Sequence, residues 1–426
     1  MGHGVEEREH VVYVKLVKGK QGETPEFIYK ENKVETKGDY LSGYITGFEL
    51  SDYMYKEKKW PEYKFKGKVT TNKDALTRLQ VKGEPAAEPI LAARTSRKLR
   101  ATFVDAPLDP DGRLRSSLNV AGTVSGRFSS SKFLWGTGNN QQNYPEVVRR
   151  MWIPDDGYAA YGLDLSGADL VNIANIANEQ WMIKAFGNGD DLHTLAASKI
   201  SRWVWGKHIE PKDITKEQRK TGKSANFALC YGMGKREAAL QWKITEREAG
   251  IIVTAYHAVS PNIQNVFWAY VKSALATDGY LENPLGRRRR FFGGKKPPDK
   301  LLKDAYNWMG QSPVAGLINH RGLSFVHYNQ QWFRYLELLN QIHDEMDFQI
   351  PLIRGWLEHA DMILRIRDNI QQPLQWKRLE YFVPVTLSIG HNFLEVKNSE
   401  INIQNTTAMQ LAVVLKEEWN GHHEGN

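Results

Sequence analysis

The sequence is poor in the features that mark several large protein classes. It has one cysteine, Cys230, in 426 residues, which excludes an intramolecular disulfide and any cysteine-based zinc cluster. No window reaches 18 consecutive apolar residues, so there is no candidate membrane-spanning helix. The first residues, MGHGVEEREH, lack the basic-then-apolar pattern of a secretory signal. There is no Walker-type or dinucleotide glycine fingerprint, no internal repeat and no low-complexity tract. A cytoplasmic protein, without a membrane partner, is the expectation. What remains is an ordinary globular composition, 41% hydrophobic and 25% charged, long enough for two or three domains. Lys and Arg outnumber Asp and Glu, 57 to 49, for a net charge of +8, a weak lean toward polyanionic partners.

One stretch stands out, Lys216–Lys235. In it Arg219, Lys223, Phe227 and Tyr231 recur every fourth residue. On a helix they form one stripe about 18 Å long, two cations followed by two aromatics. Cations one turn apart, roughly 6 Å, suit a polyphosphate, and the first aromatic suits a base or sugar. An amphipathic helix with a solvated basic end and a packed aromatic end has the same spacing.

Along the chain, alternating runs predict strands at 10–17 and 40–48. Residues 70–80 and 87–105 read as helices, with Asn72 capping the first, and 109–112 as a turn. A Gly/Ser-rich loop, 122–138, carries Arg127 and leads into the amide run Asn139–Asn143. Such a loop is commonly only a linker; its amides suit base or sugar edges, or turn caps. A strand over 158–166 ends on Asp164, a single helix follows over 168–187, and another begins at 189–200 with His193 in its first turns. Residues 246–276 are helical with a break at Ser260-Pro261. Residues 283–298 form a hairpin-like tip with six cations beside Phe291 and Phe292, a solvated face or a grip on phosphates. Residues 301–328 are helical, with Asn307 and Gln311 on one face and Pro313 as a kink. Residues 336–351 read as a β-hairpin turning at His343-Asp344-Glu345, 354–380 as mostly helical, 383–390 as a last strand, and 397–426 as poorly structured.

Asp344 and Glu345 lie between two apolar strands, where acids are costly unless compensated. With Asp164, they suit Mg²⁺, which takes oxygen ligands from one or two carboxylates and substrate phosphates. A pair of such ions can stabilise both oxygens of an in-line displacement at phosphorus. Carboxylates for metal, cations for phosphate and an aromatic for a base are the parts of nucleotidyl transfer.

Together these residues resemble the polymerase region of family A, Pol I-like, DNA polymerases. Arg219, Lys223, Phe227, Tyr231 and Gly232 match the fingers-helix motif. LDLSGADL (163–170) and IHDE (342–345) resemble the first and last palm motifs, and 124–145 the segment ahead of the first. GDDLH (189–193), Asn307 with Gln311, SRKLRATFVDA (96–106) and GHNFLE (390–395) also match, in order, from about 70 to 396. The resemblance implies an α+β right-hand polymerase fold with an antiparallel palm sheet, helical fingers and a reduced helical thumb. Its divisions would be an N-terminal segment of unclear role (1–69), thumb (70–115), palm (116–187), fingers (188–306), palm again (307–396) and a C-terminal tail (397–426).

It also implies template-directed addition of dNTPs to a primer. Asp164 and Asp344 would hold two Mg²⁺ ions, with Glu345 in support. Arg219, Lys223 and His193 would contact the triphosphate, Phe227 would pack on the nucleotide, and Tyr231 would lie near the template base. Arg127, Gln142, Asn143, Asn307, Gln311 and His343 would contact the DNA primer–template from its minor groove, where acceptors common to all base pairs report pairing without reading sequence.

The sequence departs from the family in places. Asp169 stands where the family has Glu, which with the tyrosine screens the ribose 2′ position; one methylene less predicts weaker exclusion of ribonucleotides. Gly167 and Ala168 replace Gln and Ile, as Gly does in phage-type members, and Val171 replaces Arg. Residues 1–69 are too few for the exonuclease-like domain the family usually carries, so no proofreading is expected in this chain, and a separate exonuclease or processivity subunit is a candidate partner. Two other readings stand beside the leading one: relaxed sugar selectivity, as an RNA polymerase or reverse transcriptase, and a catalytically silent nucleic-acid-binding polymerase fold.

Overall fold

A computed structural model of the chain describes residues 14–17, 26–29 and 48–424, which fall into two compact units divided between Ala101 and Thr102. In the first unit, strand β1 (Val14–Val17) pairs antiparallel with β2 (Glu26–Tyr29). This accounts for the C-terminal half of the strand expected at 10–17; residues 10–13 lie outside the described residues. So do 40–47 of the second expected strand, and at Phe48 a helix begins instead, α1 (Phe48–Asp52). After the short hairpin β3 (Lys64–Phe65) and β4 (Lys68–Val69) come α2 (Lys73–Val81) and α3 (Ala87–Leu99). Asn72 caps α2 as expected, its Oδ1 accepting from the Ala75 amide at 3.0 Å. Leu50, Met54, Leu76 and Leu79 form this unit's own small core.

The second unit opens with a hairpin, β5 (Ser116–Asn119) and β6 (Ser129–Lys132). The latter lies inside the stretch read as irregular loop. SSSK has little intrinsic strand preference, and its pairing with β5 makes the strand. Then come β7 (Tyr158–Leu165), α4 (Ala168–Ala177) and α5 (Gln180–Asn188). The single helix expected over 168–187 is thus two. Asn178 adopts a left-handed φ of 53°, which Asn tolerates better than most residues, and ends α4 there. Next are α6 (Leu192–Val204), α7 (Lys216–Leu229), α8 (Glu246–Val259) and α9 (Ala269–Thr277), the expected break at Ser260 separating the last two. Hairpin β8 (Tyr280–Glu282) and β9 (Arg288–Arg290) precedes α10 (Asp299–Gly316), which runs through Pro313. Strands β10 (Glu337–Ile342) and β11 (Glu345–Pro351) flank the acidic turn.

Three C-terminal expectations are corrected. Helix α11 (Trp356–Ile370) ends earlier than 380, and residues 374–381 form a hairpin, β12 (Leu374–Trp376) and β13 (Leu379–Tyr381). Strand β14 (Val385–Gly390) is not the last, since after α12 (Phe393–Asn398) the short β15 (Ile401–Asn402) pairs with it. The supposedly unstructured tail carries α13 (Ala408–Glu424). Leu411, Leu415 and Trp419 recur every fourth residue and are buried in the main core, so the helix is held by packing, at roughly 1.5–3 kcal/mol per buried side chain.

The central sheet runs β10-β11-β7-β14-β15, antiparallel throughout. Its register makes two different faces. Ala159, Tyr161, Leu163 and Leu165 of β7, with Met346, Phe348 and Ile350 of β11, point into the main hydrophobic core, where Tyr161 and Phe348 stack at 5.3 Å. The alternate residues of β11, Glu345, Asp347 and Gln349, lie opposite Asp164, Gly162 and Ala160 on a face that is largely polar at the Asp164 end.

Candidate active site

The β10–β11 turn brings the acids together. His343 takes a left-handed φ of 57° in it, and the Leu165 amide donates to the Asp344 carbonyl at 3.2 Å, which seats Asp344 beside the end of β7. Glu345 lies opposite Asp164 and is only 5% exposed. Burial, with Asp344 and Glu345 nearby, pushes Asp164 up to about 7. Among the described residues, neither Asp164 nor Asp344 has a hydrogen-bonding or ion-pair partner for its carboxylate. Glu345 differs. Its Oε2 is 3.6 Å from Arg149 and 3.9 Å from Lys397, and its carboxylate lies so close to Gly162 that a Cβ there would come within 2.6 Å of Oε1. No cluster of three or more metal-ligating side chains occurs among the described residues. The unpartnered pair, repelling in a buried place, still fits a hard cation completed by water and phosphate.

Opposite in sign is the outer face of α7. A capping box at Thr215 starts this helix, with Arg219, Lys223 and Phe227 along it. Here the four-residue stripe is corrected. The helix ends at Leu229, and Tyr231 lies beyond it, in the turn closed by Gly232 at φ 84°. Arg219 is not free either: its Nε donates to Asp191 Oδ2 at 2.5 Å. Asp191 also caps α6 through the His193 amide. Burial pushes Asp191 up, but the bonds from Arg219, Thr194 and that amide prevail and bring it to about 2. Lys223 has no acidic partner among the described residues, and Phe227 remains 39% exposed.

His193 packs on Phe227 at 5.4 Å. Burial, with Arg219 and Lys223 nearby, pushes it down to about 4, so its ring is neutral at pH 7. The Tyr256 hydroxyl donates to Asn226 Oδ1 at 3.1 Å, which leaves the Asn226 amide to donate to His193 Nδ1 at 3.2 Å. The ring proton therefore sits on Nε2, where it can donate onward. Helices α6 and α7 meet closely at Gly222, where a Cβ would stand 2.2 Å from the His193 carbonyl. Gly222 lets His193 reach the stripe.

Between the two halves lies Asp169, in the first turn of α4. The Tyr231 hydroxyl donates to its Oδ2 at 3.2 Å, and Arg127 Nη2 lies 3.5 Å from Oδ1. Burial raises Asp169 despite Arg127. Tyr231 in turn lies against Gly310 of α10, where a Cβ would come within 2.6 Å of its hydroxyl. Asn307 and Gln311 flank that contact on α10, and Asn307 bonds back to the Lys303 carbonyl. Gln142 donates to the Gln341 carbonyl at 3.1 Å, and Gln341 to the His343 carbonyl at 2.7 Å, which ties the amide run with Asn143 to the acidic turn. Burial, with Arg127 nearby, lowers His343.

The structure links parts of the predicted set: Asp169 joins Tyr231 and Arg127, His193 joins Phe227, and Gln142 joins the acidic turn through Gln341. Four contributors escaped sequence reasoning: Arg149, Lys397, Asp191 and Asn226. Asp191 and Asn226 lie within recognised motifs and Arg149 and Lys397 just after them, but only the fold reveals their partners.

The sequence profile of DNA polymerase family A matches residues 47–395. The chain is 28% identical over 356 residues to the thermostable DNA polymerase I of Thermus aquaticus, covering 78% of this chain and 39% of that protein. It is 27% identical over 365 residues to the DNA polymerase I of Synechocystis, covering 78% and 35%. The chain therefore spans less than half the length of these relatives. Among solved structures, it resembles the POL domain of Pol1 from M. smegmatis in complex with DNA primer-template and dNTP. The TM-score is 0.69, at 23% identity, over 82% of this chain and 60% of that one. The fold is accordingly that of a family A polymerase domain.

Proposed function

The chain belongs to DNA polymerase family A, and from that membership we propose that it adds deoxynucleotides to a primer 3′ end under the direction of a template. One observation carries the reading. Among the described residues Asp164 and Asp344 have no partner for their carboxylates and Lys223 has no acidic partner, while the Asp169–Tyr231 hydrogen bond links the helix that follows Asp164 to the turn that follows α7, which supports reading them as one site. Asp164 and Asp344 would hold divalent ions, with two Mg²⁺ the best match to all-oxygen donors, and when bound these would stabilise the attacking and leaving oxygens.

The remaining work falls to the chain's own side chains. Lys223, Arg219 and the Nε2–H of His193 bind the triphosphate, the first two by charge and the third as a neutral donor. Phe227 packs on the nucleotide. Asp169 and Tyr231 border the sugar and template base. Arg149 and Lys397 hold Glu345, and through it the turn that presents Asp344. Arg127, Gln142, Asn143, Asn307, Gln311 and His343 face the primer–template minor groove, where shared acceptors allow pairing to be sensed without sequence preference. The palm would comprise 116–187 and 307–396, the fingers 188–306 and the thumb 70–115.

Primer extension with Mg²⁺, using dNTPs or rNTPs on DNA and RNA templates, tests this. Metal-dependent extension with dNTPs on DNA is expected. Preference for rNTPs would favour the RNA-polymerase reading, and no extension with any substrate would leave a binding protein with a silent polymerase fold.

A further inference from the structure

The cationic tip after β9 has a feature that the nucleotide site does not use. Phe291 is buried, edge-on to Trp308 at 6.3 Å. Its neighbour Phe292 is 92% exposed and makes no ring contact among the described residues. Exposure of a whole phenyl ring gives up the favourable burial that Phe291 gains, so packing does not explain it. Arg290, Lys295 and Lys296 surround it in sequence, all exposed and none with an acidic partner among the described residues. Arg288, by contrast, is held by Glu282 at 2.5 Å, and Arg289 lies over the Phe291 ring at 4.4 Å.

The tip is also placed. Gly293 lies against α10, where a Cβ would stand 2.4 Å from Leu301. Gly232, which follows Tyr231, lies against Lys303 and Tyr306 of the same helix. The tip and the Tyr231 turn therefore share the first turns of α10. In the turn of the hairpin, Arg287 packs against Gly126, next to Arg127.

We propose that Phe292, with Arg290, Lys295 and Lys296, is a binding site for the unpaired template strand ahead of the insertion site. A base would stack on the ring while the three cations meet its backbone, the combination by which proteins hold single strands without sequence preference. The placement on the template side rests on the polymerase reading; the affinity for single strands does not.

The test measures binding of fluorescent primer–templates whose unpaired template overhang is either about 12 nucleotides or a single nucleotide. Phe292→Ala is expected to weaken binding of the long overhang by roughly 5- to 150-fold and to leave the short one unchanged. Lys295→Ala with Lys296→Ala is expected to reduce the salt slope on the long overhang by about 1.4. In Phe292→Trp, the indole fluorescence is expected to be quenched by a thymidine oligonucleotide. Equal losses on both overhangs, no loss, or an unquenched indole would overturn the site, as would displacement of the oligonucleotide by polyglutamate in a Phe292-dependent manner, which would assign the patch to an acidic protein. A wild type that extends no primer but shows the Phe292-dependent binding would retain the site and overturn the polymerase reading alone.

Discussion

The two ends of the site contrast in almost every physical respect. At the β7–β11 end, carboxylates crowd one another in a buried setting, and Asp164 is driven up by burial and by its acidic neighbours. On α7 the key groups are exposed cations, and beside them on α6 stands a half-buried histidine, His193, that the same kind of burial drives down. Each end lacks the charge that would satisfy it, and neither reaches across to the other for it. Arg149 and Lys397 are placed on Glu345, while Asp191 engages Arg219, and Lys223 has no acidic partner among the described residues. Such a separation is unfavourable by itself. A ligand that brings cations to one end and phosphates to the other would relieve both.

Ways to break this contrast differ in expected size. Asp164→Ala or Asp344→Ala should lower single-nucleotide incorporation by about 10³-fold or more, since charge stabilisation worth several kcal/mol is lost. Circular dichroism should show the fold retained, because each change removes repulsion. Residual activity within tenfold of wild type would show that the pair is structural. Gly222→Ala forces a Cβ against the His193 backbone and should cost about 1–3 kcal/mol of stability by overpacking. It should also raise the KM for dNTP; urea unfolding and steady-state kinetics check the two parts.

Asp169→Glu should sharpen discrimination against ribonucleotides by about tenfold, a difference of about 1.4 kcal/mol, in paired rNTP and dNTP incorporation assays. Unchanged discrimination would mean that the shorter acid, already bonded to Tyr231, screens the sugar fully.

The smallest effect concerns His193. Its folded pKa lies below the ordinary value of 6.5, at about 4, so the native state binds fewer protons than the unfolded chain. Its contribution to stability is present above about 6.5 and is lost as pH falls toward 4. His193→Gln should flatten that part of the acid-side decline in urea midpoints between pH 7 and 5, and parallel curves would contradict the assignment.

Much of this was legible in the sequence where local patterns and global packing agree. The alternation Met346, Phe348, Ile350 marks β11, and four-residue spacing puts Arg219, Lys223 and Phe227 on one helical face. Legibility failed where tertiary context decides. Tyr231 continues the spacing, yet it leaves the helix to reach Asp169. Gly222 carries no sign of its role in the sequence, and only the neighbouring helix reveals it as a point of close approach. Asn178 ends a helix by a backbone conformation that the surrounding apolar periodicity conceals. Leu411, Leu415 and Trp419 recur at helical spacing, but the polar residues around them mask it. Lys397 has no meaning until α12 brings it to Glu345.

The most direct test is Lys223→Ala, with single-turnover dNTP incorporation and primer–template affinity measured on the same preparation. If Lys223 meets the triphosphate across from the carboxylates, incorporation should fall by about 10²-fold or more, in line with the loss of a charged contact in the transition state, while primer–template Kd stays unchanged. A matching loss of primer–template affinity, with incorporation by the bound complex intact, would contradict the account and leave the α7 face a general basic surface.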